Sequence, residues 1–198
     1  MVNHIHCVVR HKKQFLFGRF YKRLPFLLVI SAKKSSLTTP IFTGKLYDMD
    51  KLRLFQLFIT IILASQGIFY ILALAEAFKN ISVPTFAETR KAIDLVIADR
   101  LRFLYYANLL AGVIILVICR DNIRGTIFIT TLIATVLVLA DVILAIKGSV
   151  PINNSFQNYP DMNADWRALQ LTWLKLIVIR GTCTITALAA LLFPWLNK

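Results

Sequence analysis

The chain has 198 residues, 58% of them hydrophobic, and a mean hydropathy of +0.67, well above a soluble domain, whose apolar share is roughly 45–50%. Its net charge of +13 is uneven: residues 1–48 hold nine Lys or Arg against one acid, and the rest of the chain holds fourteen against nine. No basic run lies on a polar face with interleaved aromatics, so nucleic acid is not an expected partner and a lipid bilayer is.

Residues 1–48 carry all three histidines, His4, His6 and His11, among clusters such as Lys12-Lys13 and Lys22-Arg23. The apolar run at 25–30 is far below the roughly 20 residues that cross a bilayer. A targeting or membrane-surface segment is one reading, and a metal site at His4, His6, Cys7 and His11, with no scaffold to hold it, is another. The favoured expectation is a basic tail that is disordered or not part of the native product. Met49 followed by Asp50-Lys51-Leu52-Arg53 and a long apolar run looks like a natural start.

Residues 49–198 are expected to form an all-α, four-helix transmembrane bundle, with spans near 54–78, 101–119, 127–146 and 176–196. In the first span Ile59, Ile62, Gln66, Phe69, Ala73 and Glu76 recur at spacings of three and four and suggest a seam toward partner helices. Ser82-Val83-Pro84-Thr85 breaks this helix. Thr85 with Glu88 has the form of a capping box, and Phe86, Ile93 and Ile97 then give a short amphipathic helix that runs into the second span. That span opens with Arg102, Tyr105, Tyr106 and Asn108; the tyrosines suit an interfacial belt. A polar turn at 120–125 leads to the third span, which carries Asp141. Residues 148–165, rich in Asn, Pro and Ser, read as a loop. A helix starting near Asp165 becomes the fourth span. Cys7, Cys119 and Cys183 show no C-x-x-C pairing, so neither a disulfide framework nor a zinc site is expected.

Polar groups within the spans mark the candidate site. At 1.5 Å per residue, Glu76 lies about 5 Å below Lys79, Asn108 and Asp141 each about 9 Å below Arg102 and Lys147, and Arg180 about 8 Å below Lys175. All four occupy the half of the bilayer nearest the two longer loops. Charges inside a span are costly and face a bundle interior or a wet cavity. The expectation is a polar pocket with Arg180 paired to Asp141 or Glu76, walls from Tyr105, Tyr106 and Trp173, and a lid at Asn153-Asn154. The competing reading is a structural buried ion pair, with Glu76 reaching the headgroups.

Trp166, Trp173 and Arg180 recur every seven residues, which on a helix places them on one stripe drifting about 20° per step. Four spans, a P-x-N element (Pro151, Asn153) before the last, and W-x6-W-x6-R within it resemble the small membrane-protein family that includes the anthrone oxygenases. The resemblance covers roughly residues 54–195 and is most specific in the last sixty. It implies a similar fold, chemistry on aromatic substrates without metal or flavin, and Asn153, Trp166, Trp173 and Arg180 as positions to test. No histidine follows His11, so the proton acceptor would have to be Asp141 or Glu76. With no Walker loop, nucleophile elbow, glycine fingerprint or H-E-x-x-H present, two functions are carried forward. One is an integral membrane protein holding a lipophilic aromatic small molecule, with cofactor-independent oxygenation the activity implied by resemblance. The other is a structural or assembly subunit of a membrane complex. A multi-pass location in a bacterial inner or plasma membrane is expected for either.

Overall fold

The structure, a computed structural model, describes the backbone of residues 40–160 and 164–197 and side chains from residue 49 onward. The readings of the basic tail and its histidines fall on residues 1–39, outside the described residues; residues 40–48 are helical.

Every regular element among the described residues is helical. In chain order they are α1 (Pro40–Phe69), a π-helical turn (Tyr70–Leu74), α2 (Ala75–Asn80), α3 (Val83–Ile118), a 3-10 turn (Arg120–Asn122), α4 (Thr126–Leu144), a second π-helical turn (Ala145–Ser149), α5 (Val150–Gln157) and α6 (Trp166–Leu196). Because the π-turns join helices without a break, these elements make four long rods: Met49–Asn80, Val83–Ile118, Thr126–Gln157 and Trp166–Leu196. All four are long and apolar enough to cross a membrane. A 32-residue rod is about 48 Å long against a hydrocarbon layer of about 30 Å, so the rods reach past the apolar layer.

Neighbours in sequence are neighbours in space. Helix α1 packs on α3 and α6, and α4 packs on the same two, so α1 stands diagonally opposite α4. This is the up-down-up-down arrangement that short connections favour. The α1–α6 crossing is backbone against backbone: a Cβ added to Gly67 would lie 2.7 Å from the Gly181 Cα. Such close approach is how small residues gain packing energy where lipid removes the hydrophobic drive between helices.

Local chemistry sets the ends. Ser82 caps α3, its hydroxyl accepting from the Thr85 N–H at 3.4 Å with Pro84 in the first turn; the cap is thus Ser82, three residues before the box expected at Thr85-Glu88. The amphipathic stretch after the first span is the beginning of α3 and continues into the second span unbroken. Asp165 caps α6 by accepting from the Ala168 N–H at 3.0 Å.

Two expectations are corrected. Residues 148–157 are helical, not loop: Pro151 lies inside the third rod, and the wide π-turn just before it accommodates a ring that would clash with a preceding carbonyl in a plain α-helix. The expected seam of the first span holds only in part: Ile59 is in the core and Gln66 lines the cavity between the rods. Ile62, Phe69 and Glu76 are exposed, while Leu57, Thr60, Leu63, Ala64 and Tyr70 are buried. In a bilayer the outside of a bundle is as apolar as its inside, so the spacing of large hydrophobes does not distinguish the lipid face from the interior.

Both π-turns change which residues face inward. In an uninterrupted α-helix, Phe78 would lie about 80° round from Tyr70, eight residues earlier, and Ser149 equally far from Asp141. The wider turn winds each back onto the inner face, and Tyr70, Phe78, Asp141 and Ser149 are all buried.

Candidate functional site

At the level of the two π-turns the four rods enclose a cavity of about 230 Å³. Its lining includes Leu63, Gln66, Gly67 and Tyr70 from the first rod, Arg90, Asp94, Leu101, Tyr105 and Tyr106 from α3, Asp141, Ala145, Ser149 and Asn153 from the third, and Trp173, Ile177 and Arg180 from α6. The wall is mainly apolar and aromatic, with a few convergent polar groups, the usual character of a small-molecule site.

One polar wall is built around Asp141, only 1% exposed. The Arg180 Nε donates to its Oδ1 at 2.6 Å, and the Tyr105 hydroxyl donates to its Oδ2 in a short hydrogen bond. Arg180 also donates from Nη1 to the Ser149 hydroxyl at 3.2 Å and from Nη2 to the Tyr105 oxygen at 3.4 Å. Three rods are joined through one carboxylate. Both Asp141 oxygens are occupied, which is the condition under which a buried pair offsets its desolvation.

A second ion pair faces the same cavity. Arg90 and Asp94, one turn apart on α3, are joined by a hydrogen bond, and the Arg90 guanidinium lies 4.4 Å from the Trp173 ring centroid. Stacking a desolvated guanidinium on an indole contributes about 2 kcal/mol. Among the described residues, buried side-chain polar atoms without a protein partner include Arg90 Nε, Trp173 Nε1, Asp94 Oδ2 and Asn153 Oδ1. All four belong to residues of the cavity wall.

Toward the end of the bundle where α2, α5 and the start of α6 meet, the cavity is closed by an aromatic plug. Trp173 packs edge-on against Tyr70 and Phe86 with centroids 5.9 and 5.4 Å apart. Phe86 meets Phe156 at 5.1 Å, and Phe156 meets Trp166 at 5.6 Å. Each such pair adds about 0.5–1.5 kcal/mol beyond its buried area. Polar ties reinforce the plug: Gln170 Nε2 donates to the Phe78 carbonyl at 2.7 Å and Arg167 Nη2 to the Lys79 carbonyl at 2.8 Å. These satisfy carbonyls that the end of α2 leaves open.

The residues singled out in the sequence are distributed as follows. Arg180, Asp141, Tyr105, Tyr106, Trp173 and Asn153 line the cavity. Trp166 is in the plug. Asn108 is buried elsewhere, donating to the Thr60 hydroxyl at 2.7 Å toward the other half of the bundle. Glu76 is not with Arg180: its carboxylate is exposed and meets Lys79 at 3.8 Å and Asn80 at 3.3 Å. Six residues beyond the buried Tyr70, Glu76 falls on the outer face of the rod with or without the π-turn. Asn153 sits on α5 in the cavity wall, so the Asn153-Asn154 pair is not a loop lid. Ser149, Arg90 and Asp94 were not anticipated. Arg90 and Asp94 carried a signal in their i, i+4 spacing, which reads equally well as a solvated face.

The four rods define a multi-pass membrane protein, with a mainly apolar cavity between them onto which two ion pairs face. Comparison of the chain with protein-family models, curated proteins and solved structures finds no match.

Proposed function

We propose that this protein binds a small lipophilic aromatic molecule in the cavity between its four rods. The observation that carries this reading is the composition of the wall: Tyr70, Tyr105, Tyr106 and Trp173 stand beside Arg180 and its fixed partners around about 230 Å³ of space. Aromatic side chains supply stacking surface for a ring, and the Arg180 guanidinium, aimed by Asp141, Ser149 and Tyr105, supplies donors for a ring oxygen.

The resemblance to the anthrone oxygenases extends this reading to a reaction in which a bound phenol gives up a proton and the ring itself supplies the electrons for oxygen. On that extension Arg180 stabilises the phenolate. Asp141 is a poor base as it stands, because both its oxygens already accept hydrogen bonds; in this geometry it holds Arg180 rather than receiving the substrate proton. A bacterial inner or plasma membrane is the proposed location.

The competing reading, a structural subunit without a ligand, draws on that same saturation of Asp141. The two separate in one experiment. Purified protein is titrated with anthrone and with simple hydroquinones while thermal unfolding and oxygen uptake are recorded. Ligand-dependent stabilisation that Arg180→Lys weakens supports the binding reading, and oxygen uptake supports the extension. No stabilisation by any ring compound would leave the structural reading in possession.

A further inference from the structure

Resting on the binding reading above, we infer that the cavity is entered sideways from the bilayer, between α3 and the third rod, and that its ligand is an uncharged hydroxylated ring whose apolar tail stays in the lipid. The first observation is where the wall meets the outside. Tyr106 is 60% and Ile146 57% exposed, and Ile97 and Val150 are exposed as well, yet all four line the cavity. Residues that belong both to the inside of a cavity and to the outer surface form its mouth. This mouth lies on the long side of the bundle, flanked by exposed Arg102 and Lys147, whose charges suit the level where hydrocarbon gives way to headgroups.

The second observation is that the other route is shut. The aromatic plug of Phe86, Phe156 and Trp173 is fully buried, and Gln170, Arg167 and Lys91 tie it to carbonyls of Phe78, Lys79 and Tyr159. A solute from the aqueous end would have to break that packing; a solute from the membrane would not.

Size and charge then define the ligand. An apolar cavity of about 150 Å³ takes up benzene, and drug-sized ligands use about 300 Å³ or more. A cavity of about 230 Å³ therefore holds one substituted ring and excludes a long tail. The two buried arginines of the cavity are each matched by an aspartate, Arg180 by Asp141 and Arg90 by Asp94, which leaves no net charge in its interior to attract a phosphate. The Arg180 guanidinium, 15% exposed and aimed by Asp141, Ser149 and Tyr105, instead offers its remaining N–H groups to the oxygen of a ring hydroxyl.

The test uses the full chain in lipid nanodiscs and hydroquinones carrying no tail, a short alkyl tail or a long one, with affinity expressed per mole fraction in the membrane. A tail that stays in lipid contributes equally before and after binding, so affinity is expected to be flat across the series. Ile146→Trp with Val150→Trp, both at the mouth, is expected to weaken the long-tailed member by about tenfold or more relative to the tail-less ring. A diazirine on the long tail is expected to label the α3 and third-rod residues at the mouth. Long-tailed compounds that fail where the tail-less ring binds, adducts at Phe86 or Phe156, or a tightly held anionic phospholipid recovered in place of the ring would overturn the lateral route. Failure of every ring to bind, the tail-less one included, would remove the binding reading itself.

Discussion

The two halves of the bundle are built on different principles. In the half near the turn at Arg120–Asn122 the rods have no π-turn and their interior polar groups are mostly tied up locally: Thr60, Thr130 and Thr135 return their hydroxyls to carbonyls of their own helices, and Asn108 meets Thr60 across the α1–α3 contact, while Gln56 is buried without a partner. In the half near α2 and α5, two opposite rods are interrupted by π-turns, the interior is aromatic and charged, and a cavity opens. Regular helices at close approach leave no room for a ligand. Widened turns on a diagonal pair of rods create room and bring Asp141 and Ser149 onto the same inner face. One half holds the bundle together, and the other has the features of a site.

The contrast can be broken most severely at Asp141. Arg180→Met leaves a carboxylate buried without its cation, and a loss of about 3–5 kcal/mol is expected, read as reversible unfolding in mixed micelles. Adding Asp141→Asn should recover much of it, because the uncompensated charge is gone. If the single substitution costs nothing, the ion pair is not what joins these rods.

A smaller loss is expected at the α1–α6 contact. Gly67→Ala places a methyl 2.7 Å from the Gly181 Cα, so the helices must separate, at a cost of about 1–3 kcal/mol, seen as a lower unfolding midpoint. Ser149→Ala removes one of the hydrogen bonds that aim Arg180 and should cost about 1 kcal/mol; on the binding reading it also weakens ring compounds, which a role in stability alone would not do.

Two substitutions sharpen the comparison by doing little. Asn108→Leu combined with Thr60→Val removes both partners of one interhelical bond in the regular half and should be close to neutral in thermal melting, since neither is left unpaired. Glu76→Gln touches an exposed carboxylate and should stay within about 0.5 kcal/mol. A large loss from Glu76→Gln would put that residue back among the groups that matter.

These differences also explain what could be read from residues alone. Four spans were legible because runs of apolar residues of that length have few other uses. The Arg180–Asp141 pair was legible from depth, since buried opposite charges at one level seek each other. Glu76 satisfied the same depth criterion and does not join them, because depth says nothing about which way a residue faces. Residues 148–157 misled for a related reason: Pro, Asn and Ser are loop formers by count, yet Pro151 is placed where a helix tolerates it. Arg90 was hidden by ordinary amphipathic spacing and is distinguished only by the Trp173 ring above it.

The π-turn at Ala145–Ser149 carries one residue more than an α-helix needs over the same stretch, and that surplus acts as a phase setting for everything downstream in the rod. Deleting Lys147 would let the turn relax to ordinary winding, and because seven α-helical residues turn through about the same angle as eight with a π-turn among them, Ser149 and Asn153 would stay on the inner face while the rod remained long enough to cross the bilayer. A single lost codon would thus remove the widened turn and keep the rod's facing, so a loss of ligand-induced shifts in melting temperature in that variant would point to the width of the turn as what the cavity needs.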